Sequence, residues 1–265
     1  METPKRPGLR ILVGAGCFAD AAAALRLVGR LPEAFRAALG GVLVEEADTL
    51  AACQIPDQRV VLDSGATMRA PSLAQVRALF KADARAFRQS LAQAANPTGA
   101  DWIFAEDKGE LVGTSLRAAH GWDILVIGYR QVHRIPGKVV LLEADSPSTD
   151  TMDEAAKRLS QQLGARCTRF SVGPLQEHPK PDRAFEHRRF QSLDAALRAL
   201  ARTNAQAVIL DLVHGPIRNP GDLAHLLEAS RCPLIVFGPS DLSVMLEHNT
   251  EFPTPARPDG DPIDP

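Results

Sequence analysis

Short apolar runs alternate with segments of helical period along most of the chain. LRILVGAG (9–16) is an apolar run leading into an Ala-rich helical pattern from Asp20 to Leu31, with Asp20 placed to cap it, and GGVLVEE (40–46) is the next strand. Between Thr49 and Pro71 the pattern turns irregular, with an extra strand at RVVLD and an exposed loop at DSGATMRAP. Leu73, Val76, Phe80, Ala84, Phe87 and Leu91 then recur at intervals of three or four, which places them on one face of a long helix over 72–95. Its other face carries Arg77, Lys81, Arg85 and Arg88 and reads as solvated. DWIFAE (101–106), a helix over 110–120 and DILVIG (123–128) follow.

A second series opens at GKVVLLEA. It predicts a strand over 138–144, a helix over 151–163, a strand over 166–172, a polar loop through His187, a helix over 192–203, and a strand over 207–212. A helix over 222–228 and a strand over 233–237 complete it. Strands that are apolar throughout and separated by helices are buried on both faces, because a half-exposed strand alternates. The expected fold is therefore α/β, built as two tandem parallel-sheet units with helices on both faces and right-handed crossovers. Residues 1–137 form the first unit, 138–240 the second, and the Pro- and Asp-rich 241–265 a disordered tail.

Composition narrows the function classes. With 265 residues, 45% of them hydrophobic and 23% charged, the chain is of ordinary globular type, and a formal net charge of −2 supplies no general pull toward nucleic acid or an anionic membrane. No apolar run approaches the roughly 20 residues that span a bilayer, and the first residues lack a cleavable apolar segment. A cytoplasmic protein with neither nucleic-acid nor membrane partners is expected. Cys17, Cys53, Cys167 and Cys232 are scattered singly and read as buried free thiols. The seven histidines show no metal-ligand spacing, and no Gly-x-Ser-x-Gly elbow supports acyl transfer.

The element order of both halves, and AVILDLVHGPIRNPGDLAHLLEASRCPLIVFG in particular, resembles the carboxyl-terminal end of a universal stress protein domain. LRILVGAG and GKVVLLEADS are similar to that family's opening strand, and GELVGTSLRAAHGWDILVIGYR to its helix and fourth strand. The resemblance implies an adenine nucleotide alpha hydrolase-like fold in a divergent tandem member whose first half lacks the last helix and strand. It further implies a stress or regulatory role. Because the family's final strand pairs with that of a second domain, it also implies a homodimer through Pro233 to Phe237, or another protein partner.

ATP-binding members carry an Asp after the first strand and a glycine-rich turn after the fourth, where bare amides approach phosphate oxygens. The corresponding positions here are Asp145 with Ser146, and Asp211, His214 and Gly215 in DLVHGPIRN. These are the candidate ligand-binding residues. An Asp in the phosphate position repels such a ligand, so the expectation is no cofactor, with ATP or AMP bound through altered contacts as an alternative. Gly14 to Ala19, GAGCFA, also matches a dinucleotide fingerprint, with Glu45 and Glu46 ending the next strand where a ribose-binding carboxylate sits. A dinucleotide-dependent oxidoreductase is thus a further alternative. No catalytic and no metal-binding residue is assigned, and the leading expectation is a non-catalytic protein.

Overall fold

The computed structural model describes residues 8–31, 37–55, 59–61, 65–130, 137–144, 150–174 and 185–239. In its first half lie β1 (Arg10–Ala15), α1 (Phe18–Val28), β2 (Ala38–Glu46), α2 (Ala47–Ala52), β3 (Arg59–Val61) and β4 (Thr67–Arg69). Then come α3 (Leu73–Ala95), β5 (Asp101–Gly109), α4 (Leu111–Ala118) and β6 (Ile124–Ile127). The second half holds β7 (Lys138–Ala144), α5 (Asp150–Leu163), β8 (Arg166–Val172), β9 (Glu186–Phe190), α6 (Leu193–Leu200), β10 (Ala205–Asp211), α7 (Pro220–Ser230) and β11 (Leu234–Phe237).

Nine strands form one sheet in the order β5-β2-β1-β6-β11-β10-β7-β8-β9, while β3 and β4 form a separate hairpin. Within each half the strands are parallel and their order runs third-second-first-fourth in chain sequence. The halves meet at β6 and β11, which pair antiparallel from Leu234 opposite Ile127 to Phe237 opposite Ile124. The fold is α/β, as the uninterrupted apolar strands require. Alternate residues of each central strand feed two cores on opposite faces of the sheet. Ile11, Val126, Leu141 and Ile235 pack with α1, α3 and α5. Leu12, Leu125, Leu142 and Val236 pack with α4, α6 and α7.

The antiparallel junction corrects the expectation that Pro233 to Phe237 forms an open edge for a homodimer. Between β10 on one side and β6 on the other, β11 has both backbone ladders filled, so Pro233 to Phe237 offers no open edge to a second copy. The first half has no fifth strand of its own among the described residues, and β11 occupies that place from within the chain.

Three smaller differences have local causes. Residues 186–190, the first two of which fall in the polar loop expected through His187, form β9, an edge strand that needs no apolar run because much of it faces solvent. The irregular stretch after β2 contains α2 and the β3–β4 hairpin. At α1 the N-cap is Cys17 rather than Asp20, which lies in the first turn. The long helix α3 is as expected, opening on a capping box in which Ser72 accepts from the Gln75 N–H and Gln75 reaches back to the Ser72 N–H. Arg77, Lys81, Arg85 and Arg88 are exposed on it. The expected tail at 241–265 lies outside the described residues.

Candidate functional site

Open parallel sheets bind ligands outside the carboxyl ends of their strands, where neighbouring strands lead to helices in opposite directions. Here β1, which leads to α1, lies beside β6, after which no helix is described before β7, while β7 and β10 meet that description, leading to α5 and α7. Because the halves join antiparallel, these places lie on opposite edges of the sheet. The Gly14–Ala19 turn and the Asp211–Gly215 turn are therefore not parts of one site.

At the first place, the two glycines of GAGCFA serve different ends. A Cβ on Gly14 would sit 2.2 Å from Ser115 Oγ, so this glycine lets α4 pack closely on β1. Gly16 has room, with only Glu46 Cδ nearby at 3.9 Å. Two amides near this turn are taken by carboxylates. Phe18 N–H, at the start of α1, donates to Asp83 Oδ2 of α3 at 3.1 Å. Asp20 Oδ1 accepts the Arg130 N–H just beyond β6, and its Oδ2 accepts the Cys17 thiol at 3.1 Å. Burial, and then this bond to Asp20, pushes the Cys17 thiol up to about 11, far from a thiolate nucleophile at neutral pH. The Glu46 carboxyl is also raised, first by desolvation at this corner and then by Asp20, Asp48 and Glu110. Such a concentration of carboxylates disfavours an anionic ligand.

At the second place, Asp145 and Ser146 lie outside the described residues. The other three candidates share one turn. Asp211, almost buried at the end of β10, accepts the Val213 N–H through Oδ1 at 2.7 Å, while its Oδ2 lies 3.1 Å from His214 Nδ1. The His214 side chain is 64% exposed against 13% for Asp211, so the imidazole reaches outward from a fixed carboxylate. A Cβ on Gly215 would sit 2.0 Å from the Asp211 carbonyl oxygen, which makes glycine necessary for the turn to close. Beyond it, Asn219 caps α7 through the Asp222 N–H, and Asp222 accepts the Arg218 N–H.

Two groups escaped the sequence reading. Asp83 is one, and its signal was a carboxylate placed three residues after Phe80 and four before Phe87, on the flank of the apolar face of α3. The other is a nearly buried ion network. Arg169 of β8 reaches both oxygens of Asp153 on α5 at 2.8 Å and Glu143 of β7 at 3.2 Å, and its guanidinium lies over the Phe185 ring at 4.4 Å. Ser171 donates to Glu143 at 2.9 Å. The network pins α5 to the sheet, and nothing in linear spacing joins four residues from three elements.

A cleft of about 230 Å³ beside α3 and β5 is lined by both signs of charge, among them Glu45, Arg77, Lys81, Glu106 and Lys108. Glu45 pairs with Lys108 there at 3.5 Å rather than facing the Gly14–Ala19 turn alone. Of the four free thiols, Cys167 and Cys232 are buried, with burial pushing both up to about 12, while Cys17 and Cys53 are partly exposed. Among the described residues no group of three or more His, Cys, Asp or Glu is arranged to hold a metal ion, and no helix is long and apolar enough to cross a membrane.

No protein-family model and no curated protein matches the chain. Solved structures do. The chain is similar to a universal stress protein from Archaeoglobus fulgidus DSM 4304, with 11% identity over 86% of this chain and 95% of that one and a TM-score of 0.44. A functionally unknown protein from Pseudomonas aeruginosa PAO1 is 10% identical over 90% of this chain and 95% of its own, with a TM-score of 0.43. The cytoplasmic domain of a prokaryotic cation chloride cotransporter is 9% identical over 91% of this chain and 100% of its own, with a TM-score of 0.38. These are similarities of overall structure at low sequence identity.

Proposed function

We propose that the chain acts by binding rather than by catalysis, as a universal-stress-protein-like protein that associates with a ligand or a partner. One observation carries this reading: two backbone amides at the first-half site where such a sheet would take a nucleotide phosphate are occupied by the chain's own carboxylates, Asp83 on Phe18 and Asp20 on Arg130. An incoming phosphate would have to displace a bonded anion and sit among others, at a cost in both desolvation and repulsion. In the second half Asp211 is likewise committed to its own turn. This weighs against the oxidoreductase reading of Gly14–Ala19 and against the ATP or AMP reading of the Asp211 turn.

The test is twofold. NADH titrated into the protein should show no shift or enhancement of its fluorescence, and ATP with Mg²⁺ should not be hydrolysed above the rate without protein. Saturable NADH binding that Gly16→Val abolishes would restore the oxidoreductase reading. Hydrolysis of ATP lost on Asp211→Asn would establish an enzyme at the other edge.

A further inference from the structure

The amino-terminal ends of β7 and β8, a residue of β9 and the segment following α6 enclose a cleft of about 530 Å³. Four cations line it, Lys138, Arg166, Arg188 and Arg202, and among the described residues its lining contains no carboxylate. Lys138 stands directly opposite Arg166 in the parallel β7·β8 pair, and Arg188 stands opposite Phe170 on the next strand. The Arg188 guanidinium lies 5.3 Å from the centre of the Phe170 ring and 5.6 Å from that of Phe190, which orients it.

Glu186, not itself a lining residue, takes one of the four charges, with Lys138 Nζ at 2.7 Å. Its bond to Lys138, with Arg188 and Arg166 beyond, holds its carboxyl below the ordinary range, a mark of the positive field here. Among the described lining residues no carboxylate pairs with the three guanidiniums, two of which, Arg188 and Arg166, share Glu186's field at longer range. The carbonyl end of α6 favours a cation nearby but does not call for four.

The floor of the cleft is fixed by backbone. Lys138 N–H donates to the Asn204 carbonyl at 2.8 Å, and a Cβ on Gly137 would sit 2.5 Å from that same oxygen. Where Gly164 meets Leu163 a smaller cleft begins, bordered by Arg26 and Arg30, so the positive surface continues toward the junction of the two halves.

We propose that this cleft binds a compact polyanion, either an oligophosphate chain or a small metabolite carrying two phosphate groups. Its size falls in the range of small-ligand sites. Guanidinium forks match phosphate oxygens two at a time, and a concave wall of one sign concentrates the field. The site lies at the amino ends of the second-half strands, on the opposite edge of the sheet from Asp211. The proposal rests on the reading of the chain as a binding protein and gives that reading a ligand class.

Isothermal titration of the full chain tests it, with inorganic tripolyphosphate and a hexose bisphosphate as probes. At about 50 mM salt at least one probe should bind with a dissociation constant of about 10 µM, weakening about tenfold or more at about 300 mM salt. The stronger probe tells whether a chain or a metabolite is the better fit. Arg166→Ala with Arg202→Ala should weaken binding about tenfold or more, while Arg77→Ala with Arg85→Ala, an equal loss of charge on the exposed face of α3, should leave it unchanged. No heat from either probe at about 1 mM, or equal losses in both double variants, would overturn the proposal. NADH binding or ATP hydrolysis would instead overturn the non-catalytic reading and leave this site to be judged by its own variants.

Discussion

The Asp83 carboxylate, on the third turn of α3, accepts the Phe18 backbone N–H at the start of α1 at 3.1 Å. Two helices 55 positions apart at their starts are thereby tied, and an amide with no partner inside its own helix is satisfied by a negative group where the helix dipole favours one. Asp83→Ala is expected to cost about 1 kcal/mol, and Asp83→Asn much less because its amide oxygen still accepts. Urea unfolding of the three proteins measures this. Equal midpoints would mean that water serves the amide as well as Asp83 does.

Ile235 and Val236 point to opposite faces of β11, and both are fully buried, one in each core. Ile235→Lys and Val236→Lys should therefore each destabilise by about 4 kcal/mol or more, with no folded monomer released from a dimer in either case. Circular dichroism and sedimentation read the two effects. A folded Ile235→Lys protein of half the native mass would show that this strand serves an interface between copies.

Arg169 has a side chain 11% exposed, and its partner Glu143 one 9% exposed. Arg169→Met leaves Glu143 charged, nearly buried and without its cation, at a cost of about 3–5 kcal/mol. Adding Glu143→Gln should recover part of that loss. Denaturant midpoints of the single and double variants decide, and a double variant no better than the single would place the cost in packing against Phe185 instead.

Burial holds the Cys17 thiol at about 11 and the Cys167 and Cys232 thiols at about 12, against an ordinary 9.0. The folded state keeps these protons longer than the unfolded chain does. Their stabilising contribution is thus complete below pH 9 and is lost as pH rises from there through the folded values. Stability measured by denaturant should fall over that window, and Cys17→Ala should remove its share of the slope between about pH 9 and 11. A slope unchanged by the substitution would assign the fall to other groups.

Glu46 gives the corresponding effect on the acid side. Its carboxyl is raised by desolvation and by its acidic neighbours, so the charged form is disfavoured in the fold relative to the unfolded chain. Glu46→Gln should stabilise the protein at pH 7, and that gain should vanish once pH drops below the ordinary carboxylate value of 4.5. Thermal unfolding at the two pH values checks the sign.

Most of the elements, and the fold class, were legible in the sequence. Ile124 to Ile127 and Leu234 to Phe237 read as buried strands because every residue is apolar, and α3 was legible from Leu73 to Leu91 because burial on one face imposes a period on the chain. The compositional signal failed at β9, where Glu186, His187, Arg188 and Arg189 hold an edge strand by backbone bonds to β8 on one side while much of the strand faces water. Of the candidate site, the clustering of Asp211, His214 and Gly215 was legible because it is local. Tertiary structure alone decided what the long-range partners are. The pairing of β11 with β6 depends on backbone ladders that any apolar strand can form, so no side chain announces it. Asp83 on Phe18, Arg169 between Glu143 and Asp153, and the three arginines around Lys138 are each assembled across strands and helices remote in sequence. Electrostatic and hydrogen-bonding partners are fixed by distance in space, and only the folded sheet sets those distances.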